Sequence, residues 1–318
     1  MNREKNYACL AIIKQPGLGD AQILLSNLHH ISREIGKPLT LLTQKTTGAS
    51  AVFKHDPHVD NIIDLGKRDF FNIINKIKSK KFDRCYIYSD SIRLYLIALF
   101  SGIARKKIYH YPFFSKKGKN FYKTAQEFTE KILYKKITSY SKIYWDKDDI
   151  EKTKIKYNIT NDTKNFIIAP SASGETKRWP INNYIKLIDE LNKKYPSKFF
   201  IAAGHNDKNL VKKIMDSSIA KRCVSLCNLN IEQIIPIFAS CECCISNDTG
   251  FGHLAANLNV QVLMIFCDSP ASSYGLWNPN ITVVVPEGET IESTRHDTLG
   301  KYRVSFDEVF EKSLELIS

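Results

Sequence analysis

The sequence predicts an α/β protein made of two doubly wound parallel sheets, one in each half of its 318 residues. Three observations carry that expectation. Short apolar runs alternate with amphipathic runs of helical period along most of the chain, and strands spaced by helices pair in parallel. The length suits two cores of about 150 residues better than one. A polar, weakly patterned stretch rich in Lys and Asp, residues 140–165, falls near the middle and reads as a linker, which sets domains of 1–150 and 151–318.

In the first half, residues 7–14 read as a strand, Gln15-Pro16-Gly17-Leu18-Gly19-Asp20 as a glycine-rich turn, and 21–35 as an amphipathic helix. Strand, glycine turn and helix commonly open a nucleotide-binding sheet. The turn lacks the GxGxxG spacing of a dinucleotide fingerprint, which argues against an oxidoreductase. Gly17 and Gly19 leave room for a ligand near the backbone, and Asp20 can cap the helix or serve as a carboxylate at the sheet edge. The alternation continues through strand 39–43, a helix near 49–55, a short strand 61–65, helix 70–78, strand 84–88 and an apolar helix over 92–103.

Composition narrows the classes. With 43% apolar and 25% charged residues, the chain reads as an ordinary soluble globular protein. No apolar run reaches the ~18 residues of a membrane span, and the apolar helix over 92–103 is short and interrupted by Arg93. The first residues carry no leader-like segment, so a cytoplasmic location is expected. Eight cysteines show no paired CxxC spacing and are expected to be buried, reduced thiols. The net charge of +13 calls for an acidic partner: nucleic acid, an anionic membrane surface or a phosphorylated substrate. It is densest over residues 101–136, where ten Lys or Arg oppose Glu127 and Glu130 and are interleaved with aromatic residues. That mixture fits single-stranded nucleic acid, a membrane surface, or an aromatic core beneath a solvated basic face.

The second half opens with strand 165–169, the loop PSASGETKRWP and a helix over 180–194, with Pro180 well placed in the first turn. Small Ser171, Ala172, Ser173 and Gly174 precede Lys177, so backbone donors and a cation meet where a strand ends. Strand 199–203, the turn Gly204-His205-Asn206-Asp207, helix 208–215, strand 223–226 and helix 231–240 follow. The most informative unit is residues 241–275: a buried strand 243–246, a tight turn at Asn247-Asp248, a helix over 249–259 and a strand over 260–267. Here Asp248 reads as the N-cap, Thr249 and Gly250 offer backbone N–H groups to a phosphate, and Gly250 and Gly252 leave space for a ligand. A helix terminus contributes only about 0.3–1 kcal/mol at an exposed site. A diphosphate would therefore need a further cation, and Lys177 is the candidate. The closing helix, 305–318, is amphipathic and free to cross back to the first domain.

The segment SNDTGFGHLAA resembles the signature of the lipopolysaccharide heptosyltransferase-like glycosyltransferases of glycosyltransferase family 9. The loop reading Pro170 through Lys177, Trp179 and Pro180 is similar to that family's P-x-(A/S)-x-x-x-x-K-x-W-P pattern, and Gly19-Asp20 to its first-turn G-D motif. The resemblance implies a GT-B fold, with two Rossmann-like domains facing a cleft, the first for the acceptor and the second for a nucleotide sugar. It implies an inverting, metal-independent transfer of a sugar, with heptose from ADP-heptose expected, to a lipopolysaccharide-core or related glycan. Asp20 would be the general base and Lys177 the phosphate cation that offsets charge on the leaving group. The donor site would comprise Ser171, Ser173, Lys177, Asp207, Asp248, Thr249, Gly250 and His253, and the acceptor site Gly17, Gly19, Lys116 and Lys117. No cofactor and no metal are expected, and no D-x-D motif is read as a metal site; the run 55–60, with its histidines and acids, matches a loop before a strand in the family and receives no ligand. The acceptor would be a phosphorylated, lipid-linked glycan, met by the basic and aromatic stretch 105–123 at the cytoplasmic face of the inner membrane, with no nucleic acid partner. Two departures stand out: Cys267-Asp268-Ser269-Pro270 replaces a G-P-T-like loop, and a cysteine-rich tail is absent. Donor sugar, base and acceptor stay open, and so does the alternative of a non-catalytic nucleotide- or nucleic-acid-binding protein.

Overall fold

The computed structural model describes residues 8–66, 70–113 and 120–317. The chain divides into two compact units, Met1–Tyr144 and Trp145–Ser318.

In the first unit the elements run β1 (Cys9–Ile13), α1 (Leu18–Ile35), β2 (Leu39–Thr43), α2 (Ala49–Val52), β3 (Val59–Asp64), α3 (Phe70–Ser79), β4 (Arg84–Tyr88), α4 (Ile92–Phe100), β5 (Ile108–His110) and α5 (Phe121–Leu133). All pairings are parallel and the sheet order is β3-β2-β1-β4-β5. Every residue of β1 and β2 is buried, as expected of strands covered by helices on both faces. The order reverses between β1 and β4, so the turn after β1, which carries Gly17 and leads into Asp20, opens at the switch point where α/β sheets take ligands.

The second unit begins inside the expected linker. Residues Lys147–Tyr157 form α6, capped by Asp146, whose side chain accepts from the Asp148 N–H at 2.9 Å. The D-x-D spacing of Asp146-Lys147-Asp148 is thus a helix start. Then follow β6 (Lys164–Ala169), α7 (Ile181–Lys194), β7 (Ser197–Ile201), α8 (Lys208–Met215), β8 (Cys223–Ser225), α9 (Ile231–Phe238), β9 (Cys243–Asn247), α10 (Gly250–Asn257), β10 (Gln261–Ile265), α11 (Ala271–Tyr274), β11 (Ile281–Val284) and α12 (Phe306–Glu315). The parallel sheet has the order β11-β10-β9-β6-β7-β8. Its switch point lies between β6 and β9, which are the strands that feed the Lys177 loop and the Asn247-Asp248 turn. In the second unit, Val309 and Ile317 belong to the core, and α12 packs on α7 and β10.

All eight cysteines are buried and none is in a disulfide. Burial pushes the thiols of Cys223, Cys243 and Cys267 up to about 12, so they stay protonated and inert. In the run 55–60, Asp56 and His58 join a buried polar cluster instead of holding a ligand. His29 of α1 meets Asp56 Oδ2 at 2.7 Å through Nε2 and Ser141 Oγ at 2.6 Å through Nδ1, and His58 lies beside it with ring centroids 4.6 Å apart. The cluster anchors α1 to the end of the first unit.

Gly252 serves packing rather than ligand access. A Cβ there would come within 2.4 Å of Ser246 Oγ and 2.8 Å of Met264 Cε, so α10 can lie this close to β9 and β10 only with glycine. Gly252→Ala is expected to lower unfolding free energy by about 1–3 kcal/mol in a denaturant titration. Gly174→Ala, where the nearest atom is 4.0 Å from the added carbon, should leave stability nearly unchanged.

Candidate functional site

The second unit's site is assembled by one buried side chain, that of Asn247, at the carboxyl end of β9. Its Oδ1 accepts the Trp179 backbone N–H at 2.9 Å, and its Nδ2 donates to the Pro170 carbonyl at 2.7 Å. Both ends of the 170–179 loop are thereby tied to the strand that carries Asp248. The Trp179 ring is buried, donates to the Val304 carbonyl at 3.2 Å, and packs against Tyr184 and Phe306. Lys177, half-buried on a single helical turn between these anchors, is brought near the mouth of α10. Its charge is felt at the Asp248 carboxyl.

At that mouth the N-cap is Thr249, with extended backbone, and not Asp248. The Thr249 side chain makes no capping hydrogen bond. The first N–H groups of α10, beginning at Gly250, have no intrahelical acceptor and face outward with the positive end of the helix dipole. Asp248 is engaged elsewhere: its backbone N–H pairs with the Ile265 carbonyl at 3.0 Å, and its Oδ1 lies 3.3 Å from His253 Nε2. Burial by itself would raise the Asp248 carboxyl. The hydrogen bond from His253, the nearby Ser269 hydroxyl and the Lys177 charge outweigh it and hold Asp248 below the usual carboxylate range. Ser269, fully buried, stands close enough to favour the charged form without reaching ordinary hydrogen-bond geometry.

The remaining donor-site residues fare unequally. Ser171 is buried in the loop and Ser173 is exposed. Asp207 is paired within the protein: its Oδ1 accepts from an Arg178 guanidinium nitrogen at 2.7 Å, and the same nitrogen donates to the Ala172 carbonyl at 3.1 Å. The pair braces the Lys177 loop against the turn after β7, a role for Arg178 that its position as a loop residue did not reveal. Asn247 was likewise missed as a loop anchor, although it lies inside the recognised motif. Its signal was the amide itself, which can donate and accept at once.

In the first unit, Asp20 sits in the first turn of α1, half-buried, and its Oδ2 accepts the Gly17 N–H at 3.1 Å. A Cβ on Gly17 would come within 2.6 Å of that oxygen, so glycine at 17 fixes where the carboxylate stands. Gly19 lies within the same turn of helix. Lys116 and Lys117 lie outside the described residues. Among the described residues no group of three or more His, Cys, Asp or Glu is arranged to hold a metal ion.

Removing the Asn247 amide leaves a buried N–H and a buried carbonyl without partners, at a cost of about 1–3 kcal/mol for each group. Asn247→Ala is therefore expected to lose stability by roughly that amount and to lose hydrogen-exchange protection at the Trp179 amide, while amides of β1 and β2 keep theirs. Native-state exchange read by mass spectrometry or NMR checks both.

A family model, Glycosyltransferase family 9 (heptosyltransferase), matches residues 72–303. Lipopolysaccharide heptosyltransferase 1 of Campylobacter coli is 27% identical over 145 residues, which is 44% of this chain and 42% of that protein. Lipopolysaccharide heptosyltransferase 2 of Escherichia coli K12 is 20% identical over 234 residues, 64% of each. The chain thus aligns with less than two thirds of the length of these curated relatives. Two solved structures match almost end to end. The Escherichia coli ADP-heptose lipopolysaccharide heptosyltransferase II has a TM-score of 0.74 at 16% identity, covering 98% of both chains. A glycosyl transferase family 9 protein of Veillonella parvula has a TM-score of 0.79 at 15% identity, covering 98% of this chain and 97% of the other. At such identities the likeness shows the fold, which is α/β with two parallel sheets, as in these GT-B structures.

Proposed function

We propose, from the fact that the chain belongs to glycosyltransferase family 9 (heptosyltransferase), that it moves a heptose from ADP-heptose to a hydroxyl of a lipopolysaccharide-core or related glycan. The observation that supports this best is the Asn247 anchor, which holds the Lys177 loop beside the open mouth of α10 at the sheet's switch point. A cation and a row of unpaired N–H groups form a cradle for a diphosphate. Solved heptosyltransferase structures hold ADP and an ADP-heptose, which supports adenine as the base.

In the proposed reaction the acceptor hydroxyl oxygen attacks the anomeric carbon of the sugar from the face opposite the diphosphate. The bond from that carbon to the phosphate oxygen breaks, ADP leaves, and configuration inverts. The hydroxyl proton passes to Asp20, whose carboxylate is set in place by the Gly17 N–H. Negative charge gathers on the leaving diphosphate, where Lys177 and the α10 N–H groups stabilise it more in the transition state than before it. The acceptor, on this reading, is a phosphorylated, lipid-linked glycan reached at the cytoplasmic face of the inner membrane. Support comes from the exposed Arg105 and Lys106 of the stretch 105–123, of which Tyr111 and Tyr122 are buried and 114–119 lie outside the described residues. Among the described residues, no helix is long and apolar enough to cross a membrane.

Calorimetry with ADP, UDP, GDP and CDP tests the donor half. ADP is expected to bind best, and Lys177→Ala to weaken it by about ten- to a hundredfold, the loss of one hydrogen bond to a charged group. Absence of binding by all four would overturn the assignment. Asp20→Asn should keep ADP affinity and lower kcat by about 10²–10⁴ in a coupled ADP-release assay. An unchanged kcat would remove Asp20 from the chemistry.

A further inference from the structure

His253 is only 3% exposed, one turn inside α10, and both of its ring nitrogens have partners. Its Nδ1 lies 3.2 Å from Nε1 of Trp277, a residue 1% exposed in the connection between β10 and β11. An indole nitrogen can only donate, so Nδ1 must be the unprotonated nitrogen of the ring. The proton then sits on Nε2 and points to Asp248 Oδ1 at 3.3 Å. The charged groups that bear on this arrangement are Asp248 itself and Lys177, whose charge reaches Asp248 from the 170–179 loop.

The consequence falls on Asp248. It receives the hydrogen bond from Nε2 on one oxygen and keeps its remaining acceptor capacity at the carboxyl edge of β9. A carboxylate beside a diphosphate repels it. Its favourable partners are neutral hydrogen-bond donors, and on a nucleotide sugar the hydroxyls of the transferred sugar supply these. We propose that Trp277 is a positioning residue for the donor sugar: by fixing the His253 tautomer it aims the Asp248 carboxylate at the sugar's hydroxyls and away from the nucleotide. Without the indole N–H, His253 is free to move its proton to Nδ1 and turn a lone pair toward Asp248. That change takes Asp248 from the sugar. This inference rests on the donor-site assignment above and deepens it.

Two readouts test it with the intact chain. The first is the nitrogen-15 spectrum of histidine-labelled protein. In the wild type, His253 should show a protonated Nε2 and an unprotonated Nδ1, and replacement of Trp277 by Phe or by benzothienylalanine, which keeps the ring shape and removes the N–H, should shift that pattern. The second is the affinity for ADP-heptose against that for ADP. Both replacements should weaken ADP-heptose about tenfold, one ordinary hydrogen bond, and change ADP less than twofold. A protonated Nδ1 in the wild type overturns the proposal, as does equal weakening of both ligands, no weakening of either, or a wild type that binds ADP-heptose no better than ADP. The benzothienylalanine protein covers the case in which Trp277→Phe does not fold. If the wild type binds neither ligand, the donor-site assignment and the aiming of Asp248 fall together, while the tautomer is still decided by the spectrum.

Discussion

One buried amide holds the second unit's site in shape. Strands β6 and β9 are neighbours, but their following segments leave the sheet in different directions, because the order of strands reverses there. Asn247 counters that divergence by bonding the Trp179 N–H and the Pro170 carbonyl at once. An amide side chain supplies donor and acceptor on one planar group. The constraint spreads outward: Trp179, held by its backbone, buries its ring against Tyr184 and Phe306, and its indole N–H reaches the carbonyl just before α12. The final helix thus supports the loop that carries Lys177, and Arg178 with Asp207 braces the same loop from its other side.

The electrostatics of the site follow from this scaffold. Lys177 and the α10 N–H groups make one positive region suited to phosphate. Asp248 sets one negative group at its border, and His253, Ser269 and Lys177 keep that group ionised despite burial. Opposite preferences therefore lie side by side, a cradle for the diphosphate and an acceptor for neutral hydroxyls. On the proposed function, such a pair would meet the junction between a nucleotide and its sugar. The buried thiols nearby take no part, since burial keeps them protonated.

Much of the fold was legible because it depends on pattern over long windows. Nine of the strands show as apolar runs between helical periods, and parallel pairing follows from the helices between them. The short elements were harder: β11 and α11 have four residues each, too few for a period, and α6 hides in a polar stretch of low amphipathicity because little of it is buried. At the site, local rules misled where tertiary contacts won. Asp248 has the residue type of an N-cap, but His253 competes for its carboxylate, and Thr249 takes the cap position. Gly252 looked like space for a ligand and is instead the place where helix and sheet touch. Trp277 was invisible because nothing in the sequence links it to a histidine 24 residues earlier.

On the proposed function, Lys177 and the mouth of α10 form one diphosphate site because Asn247 holds them together. A crystal structure of the protein with ADP tests it most directly. The account predicts the two phosphates against the Thr249 and Gly250 backbone, with Lys177 Nζ on a phosphate oxygen and the Asn247 hydrogen bonds intact. ADP bound elsewhere, or bound there with Lys177 turned to solvent, would contradict it.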